Sequence, residues 1–238
     1  MRSYLSAAAH PWAVLVFLLP LLLLYEGGVW YYAGTADPVA RTGADEWVRE
    51  GFARYGLRST WAAPAVVAVV LGVWAARDWK ARPKEMVPTL FGMVIESVLF
   101  AVLLWALAKN FGPLLDRLGP PAAIRFRTPA AGQLVTYVGA GIYEEVLFRL
   151  GLFTGIYFIL RRTTLAKLPA VLIAAVAAAL LFAYAHHVGP NAEPLHPARF
   201  AFRALAGLYF TTLFVTRGFG ITVGAHAGYD ILVGVAVG

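Results

Sequence analysis

Three groups of ionisable side chains stand in stretches that are otherwise apolar. Glu144, Glu145 and Arg149 occur in Tyr-Glu-Glu-Val-Leu-Phe-Arg, His186 and His187 close Phe-Ala-Tyr-Ala-His-His, and His226 and Asp230 lie four apart in His-Ala-Gly-Tyr-Asp. Carboxylates and imidazoles are the groups that move protons and activate water near neutral pH. On a helix, residues four apart share a face, while neighbours are turned by about 100°. Glu145 and Arg149 can therefore pair along their own helix, which leaves Glu144 turned elsewhere. An unpaired carboxylate in an apolar setting is free to exchange a proton, as a general base must. Glu144 is the candidate base. His226 and Asp230 face one way together, and Phe182 lies one turn before His186.

The elements that must position these groups are membrane helices. Of the 238 residues, 60% are hydrophobic and 14% charged, against roughly 25% charged in a soluble domain. The excess is packed into long uncharged runs: 11–25, 59–76, 97–108, 128–143, 168–185 and 204–216. A transmembrane helix needs about 20 mostly apolar residues. A soluble enzyme, a disordered chain and a disulfide scaffold are excluded, and with no cysteine there is neither a thiolate metal site nor a cysteine nucleophile. The expected fold is an all-α, polytopic membrane helix bundle with about seven spans, forming a single integral domain over 1–238 whose catalytic helices lie in 130–238. The net charge of +7 sits between apolar runs, where it sets orientation rather than binding nucleic acid.

The expected spans cover 11–33, 60–76, 87–108, 129–160, 168–187, 200–216 and 219–237. The stretch 129–160 would reach about 48 Å as one helix, against a hydrocarbon core of about 30 Å. It must tilt strongly or break near Gly139 and Gly141. Residues 45–58, with Trp47, Val48, Phe52 and Leu57 among charges, suit an amphipathic surface helix or a solvated loop. Glu26 lies close to the aromatic belt of Trp30, Tyr31 and Tyr32, where water solvates it, and is left outside the site. Glu96 faces the bundle and pairs, with an arginine as the natural partner. Arg199 and Arg203 read as interface anchors and His187 as an interfacial bystander.

Orientation follows from the density of basic residues. Loops 77–86 and 161–167 hold four and three of them in short stretches, which places these loops and the N-terminus in the cytoplasm. Measured along the helices, Glu144 and His186 each lie about 25 Å from that side, whereas His226 is only about 13 Å from Arg217. A site shared by all three has to absorb that mismatch, and it would lie at mid-depth or nearer the outer face.

Taken together and in this order, Glu144-Glu145-x-x-x-Arg149, Phe182-x-x-x-His186 and His226-x-x-x-Asp230 resemble the three signatures of the CPBP family. That family comprises CAAX-type prenyl proteases, bacteriocin-processing or immunity proteins and related bacterial intramembrane endopeptidases. The resemblance covers about 140–232 and leaves the first 130 residues without a counterpart. It implies hydrolysis of a peptide bond within the bilayer, near the membrane anchor or C-terminal tail of a protein substrate. Glu144 and His186 would activate a water, His226 and the residue four after it would stabilise the oxyanion, and Glu145 and Arg149 would support them. Family members often carry asparagine where this chain has Asp230. An ionised aspartate cannot donate to an oxyanion, so Asp230 must be protonated, orient His226 or bind a cation.

That last role keeps two chemistries open. Glutamate catalysis needs no cofactor, while His186, His226 and a carboxylate from Glu144 or Asp230 would also suit a catalytic zinc ion. Metal-free catalysis is the expectation. No His-Glu-x-x-His zinc helix occurs, and serine stands only at 3, 6, 59 and 97, away from any Gly-x-Ser-Gly context. Two other functions compete: a non-catalytic peptide-binding or immunity protein on the same fold, and a proton-coupled transporter. The expected partners are a membrane-anchored protein or peptide and the lipid bilayer, in a multi-pass protein of the bacterial inner membrane.

Overall fold

The computed structural model describes residues 2–35, 38–39, 41–116, 130–189 and 192–237, and the described residues contain helices and no strand. In chain order the α-helices are α1 (Arg2–Ala8), α2 (Pro11–Tyr32), α3 (Gly43–Arg54), α4 (Ala62–Arg77), α5 (Met86–Asp116), α6 (Ala130–Glu145), α7 (Thr154–Leu160), α8 (Lys167–Ala185), α9 (Pro197–Arg217) and α10 (Phe219–Val237). Helix occupies each of the seven expected spans. Pro11–Tyr32, Met86–Phe111, Lys167–Ala185 and Pro197–Arg217 are long and apolar enough to cross a bilayer, and α4 is a shorter apolar helix. The protein is a multi-pass helical membrane bundle.

The outward faces fit that solvent. Val66, Val69 and Val70 on α4, Leu99, Val102 and Leu103 on α5, and Leu172, Ile173, Val176 and Leu180 on α8 are exposed. In water such surfaces would aggregate; in lipid they are the solvated side. The inward stripe of α8 is instead Ala170, Ala174 and Ala178, small residues that let a neighbouring helix approach closely. At the centre stands α10, packed against α2, α5, α6 and α9, with Ile221, Val223, Ala225 and His226 buried.

The long stretch 130–160 does not break at its glycines. A Cβ on Gly139 would meet the ring of Tyr25 at 2.0 Å, and one on Gly141 would meet the Ala227 amide at 2.8 Å and the Val223 carbonyl at 3.0 Å. Glycine here serves close approach, drawing α6 against α2 and α10. The irregularity falls later, as a π-helical segment, Val146–Phe153, joining α6 to α7. Wide turns of this kind recur at functional sites in helices, and this one begins directly after Glu145.

The segment after α2 is the helical alternative of the two expected. Thr42 caps α3, its hydroxyl accepting from the Asp45 amide. The helix packs against α4 and α6, with Val48 and Phe52 against the buried core. It lies on the bundle, held by charges that the next subsection describes.

Candidate active site

Glu144 and Glu145 end α6, and because neighbours on a helix diverge they look in different directions. Glu145 is fully buried and forms an ion pair with Arg149, Oε1 to Nη1 at 2.8 Å. The same Oε1 lies 2.7 Å from Nδ1 of His226 on α10. A carboxylate can only accept, so Nδ1 carries the hydrogen and the other ring nitrogen, Nε2, is aimed away. Nε2 lies 3.7 Å from Glu144 Oε2 and 3.7 Å from Asp230 Oδ2. Glu145 thus holds the imidazole between two further carboxylates, a bridging role beyond the pairing with Arg149 that spacing alone suggests.

The imidazole is also fixed from its faces. Phe210 stacks on His226 with centroids 4.4 Å apart and 16° between planes, and Phe182 meets it edge-on at 6.0 Å. Arg149 is buried, donates from Nη2 to the Gly207 carbonyl at 3.1 Å, and lies over the rings of Phe182 and Phe210. A guanidinium is well suited to that place, since it combines an ion pair with aromatic stacking.

His186 caps the C-terminal end of α8. Its Nδ1 lies 2.9 Å from the Phe182 carbonyl; a carbonyl only accepts, so Nδ1 donates and Nε2 is left bare. Phe182 meets the His186 ring edge-on at 5.0 Å. Glu144 and His186 line one cavity of about 140 Å³, together with Phe148, Ala185, Val188, Gly189 and Glu193, and with Gly43, Ala44, Glu46 and Trp47 of α3. The structure therefore gathers all six sequence-predicted residues: Glu144 and His186 on the cavity wall, His226 against Glu144, Asp230 against His226, and Glu145 and Arg149 beneath.

The mismatch in depth resolves through Arg217. Its guanidinium forms two contacts with Glu96, at 2.5 and 2.6 Å, and the hydroxyl of Tyr4 donates to the same carboxylate at 2.9 Å. Glu96 lies about 15 Å along α5 from its start, so the α9–α10 turn is recessed and Arg217 does not mark the membrane surface. Glu96 is the arginine-paired carboxylate expected.

Two expectations are corrected. Glu26 is not solvated at the aromatic belt: it is buried, and accepts from Tyr143 at 2.7 Å, Arg49 at 2.8 Å and Arg41 at 3.2 Å. Fully buried Asp45 completes the network, accepting from Arg49 at 2.6 Å, Arg41 at 2.7 Å and the Tyr25 hydroxyl at 2.9 Å. Burial lowers the Arg41 guanidinium pKa, but the bond and charge of Asp45 outweigh it and hold it above its ordinary value. Nor are Arg199 and Arg203 simple interface anchors. They pair with Glu193 at 3.2 and 2.7 Å, in the loop that folds back onto His186. Burial pushes the Glu193 carboxyl up, yet Arg203 and Arg199 outweigh it and leave it below the usual carboxylate range.

The four-residue spacing Arg41-x-x-x-Asp45-x-x-x-Arg49 was the available signal for the missed network. The cost of an intramembrane carboxylate at Glu26 was a second. A zinc ion at the site would draw on Glu144, Asp230 and the two imidazoles. Among the described residues no group of three or more His, Asp or Glu side chains is placed to hold one metal ion, and no step is derived through one.

Residues 126–232 match a family model described as Rce1-like, Type II CAAX prenyl endopeptidase. Over this segment, a little under half of the chain, the protein is similar to that CPBP-type family. The matched segment contains Glu144, Glu145, Arg149, His186, His226 and Asp230, and leaves α1 to α5 outside it. Comparison with curated proteins and with solved structures gave no match.

Proposed function

We propose that the chain is an intramembrane endopeptidase in which Glu144 and His186 activate a water in the shared cavity. One integral domain over 1–238 would carry the chemistry in 130–238. Glu144 takes a proton from the water as it attacks the scissile carbonyl, and the bare Nε2 of His186 orients that water by accepting its second hydrogen. Charge develops on the carbonyl oxygen, and His226 Nε2, when it carries a hydrogen, donates to it. Asp230 stands on the same nitrogen and tunes or orients it. Glu145 and Arg149 touch no substrate; they set the tautomer and tilt of His226. The reaction needs no cofactor.

The observation that carries this reading is the 3.7 Å approach of Glu144 to His226, on the wall of a cavity that also holds His186. Glu144→Gln is the test. Mass spectrometry of membrane proteins from cells with each form should show uncut precursors accumulating with the variant. Equal processing by the two forms ends the proposal.

The face of the membrane narrows the substrate. The cavity lies at the His186 end of α8, while the basic loop 161–166 precedes its other end at Lys167. With the basic loops cytoplasmic, the cavity opens to the outside, in a bacterial inner membrane to the periplasm. Membrane-anchored proteins trimmed near the anchor after export are then the substrate class, rather than prenylated proteins of the cytoplasm. Because the chain lacks cysteine, single cysteines at exposed Glu50 and Lys80 report the orientation cleanly. An impermeant thiol reagent should label the first and not the second in intact cells.

A further inference from the structure

The cavity wall facing Glu144 and His186 comes from outside the segment that matches the family model. Helix α3 has three functions on three faces. Arg49 and Asp45, with Arg41 just before the helix, tie it to Glu26 and Tyr143, and Tyr143 is the residue before Glu144. Val48 and Phe52 pack into the core. Gly43, Ala44, Glu46 and Trp47 are left to line the cavity beside Glu144 and His186.

Charge in this cavity is unevenly satisfied. Glu193 is neutralised by Arg199 and Arg203, and Glu144 faces His226. The half-buried carboxylate of Glu46 has no partner among the described residues. Trp47 stands one residue on, its indole nitrogen beside the loop turn at Gly189 (φ 98°). A partly desolvated carboxylate next to an indole suits a cation, through charge and through the ring face.

Resting on the protease reading, we infer that Glu46 and Trp47 select the substrate: they receive a lysine or arginine side chain that flanks the scissile bond. The ion network fixes α3 so that this basic side chain seats while the neighbouring amide meets Glu144. Neither residue takes part in bond cleavage; both set which peptide is held.

The test uses the full-length protein in proteoliposomes and transmembrane-anchored peptides differing at one position outside the membrane, Lys, Leu or Glu. Binding is read by photo-crosslinking in the Glu144→Gln background, and cleavage by mass spectrometry in the active form. The Lys peptide should be preferred over the Glu peptide by about tenfold, each referred to the Leu peptide. Glu46→Gln should level that preference and Glu46→Lys should reverse it, while Trp47→Leu should weaken retention of the Lys peptide. Cleavage that is blind to charge, or a preference unchanged in Glu46→Lys, overturns the inference and leaves the protease reading intact. Charge-selective binding without cleavage by the active form does the opposite.

Discussion

Two buried charge networks lie on either side of Tyr143 and Glu144, and they are built to different rules. In the N-terminal network every carboxylate oxygen is occupied: Tyr143, Arg49 and Arg41 serve Glu26, and Arg49, Arg41 and Tyr25 serve Asp45. In the C-terminal network Glu145 Oε2 is buried without a partner, and Glu144 and Asp230 approach His226 only to 3.7 Å. A fully satisfied polar network rigidifies; one with open valences leaves room for something else to bind. Under the proposed function the first network is scaffold, and the second is the site that takes up water and substrate.

The sharpest way to break this comparison is to remove one carboxylate from each side. Glu144→Gln should lower turnover by about 10²–10⁴-fold with little change in thermal unfolding in detergent. Asp45→Ala should do the reverse first: it leaves two arginines to share Glu26 alone and takes the acceptor from the Tyr25 hydroxyl, and should destabilise by about 3 kcal/mol, seen as a lower Tm. Activity in that variant should fall through KM, because the wall of the cavity is displaced. Equal Tm losses in the two variants would erase the distinction between scaffold and site.

Smaller effects sharpen it. Arg149→Lys keeps the charge near Glu145 but loses the fork that also reaches the Gly207 carbonyl. Turnover should drop about tenfold through a mis-set His226, as expected when a group that orients another is altered, with KM little changed. Asp230→Asn should retain or raise activity under metal-free catalysis, since an amide can donate to the oxyanion; crippling by this change would favour a carboxylate-bound cation. The smallest effect concerns Glu193. Its carboxyl is held below the ordinary 4.5, so its support of the α8–α9 loop is complete above that pH. It fades only as pH falls through the lowered value, and Glu193→Gln should remove that acid limb from proteolytic protection of the loop.

Some of this was legible without coordinates. The helical class and the positions of the spans follow from hydropathy, because only closed hydrogen bonding survives in lipid and helix is the local way to achieve it. The Glu145–Arg149 pair and the separation of Glu144 from it follow from helical phase, which is a local property. So does the pairing sense of His226 with Asp230.

Tertiary structure alone decided what crosses between helices. The bond from Glu145 to His226, the recessed turn that lets Arg217 reach Glu96, and the burial of Glu26 against Tyr143 all join residues far apart in the chain. Their partners are set by where whole helices stop and how closely glycines let them pack, quantities that side-chain spacing along one helix does not contain. Placing α3 across from His186 belongs to the same class: amphipathic composition can put a helix at the interface, but only packing selects which cavity it closes.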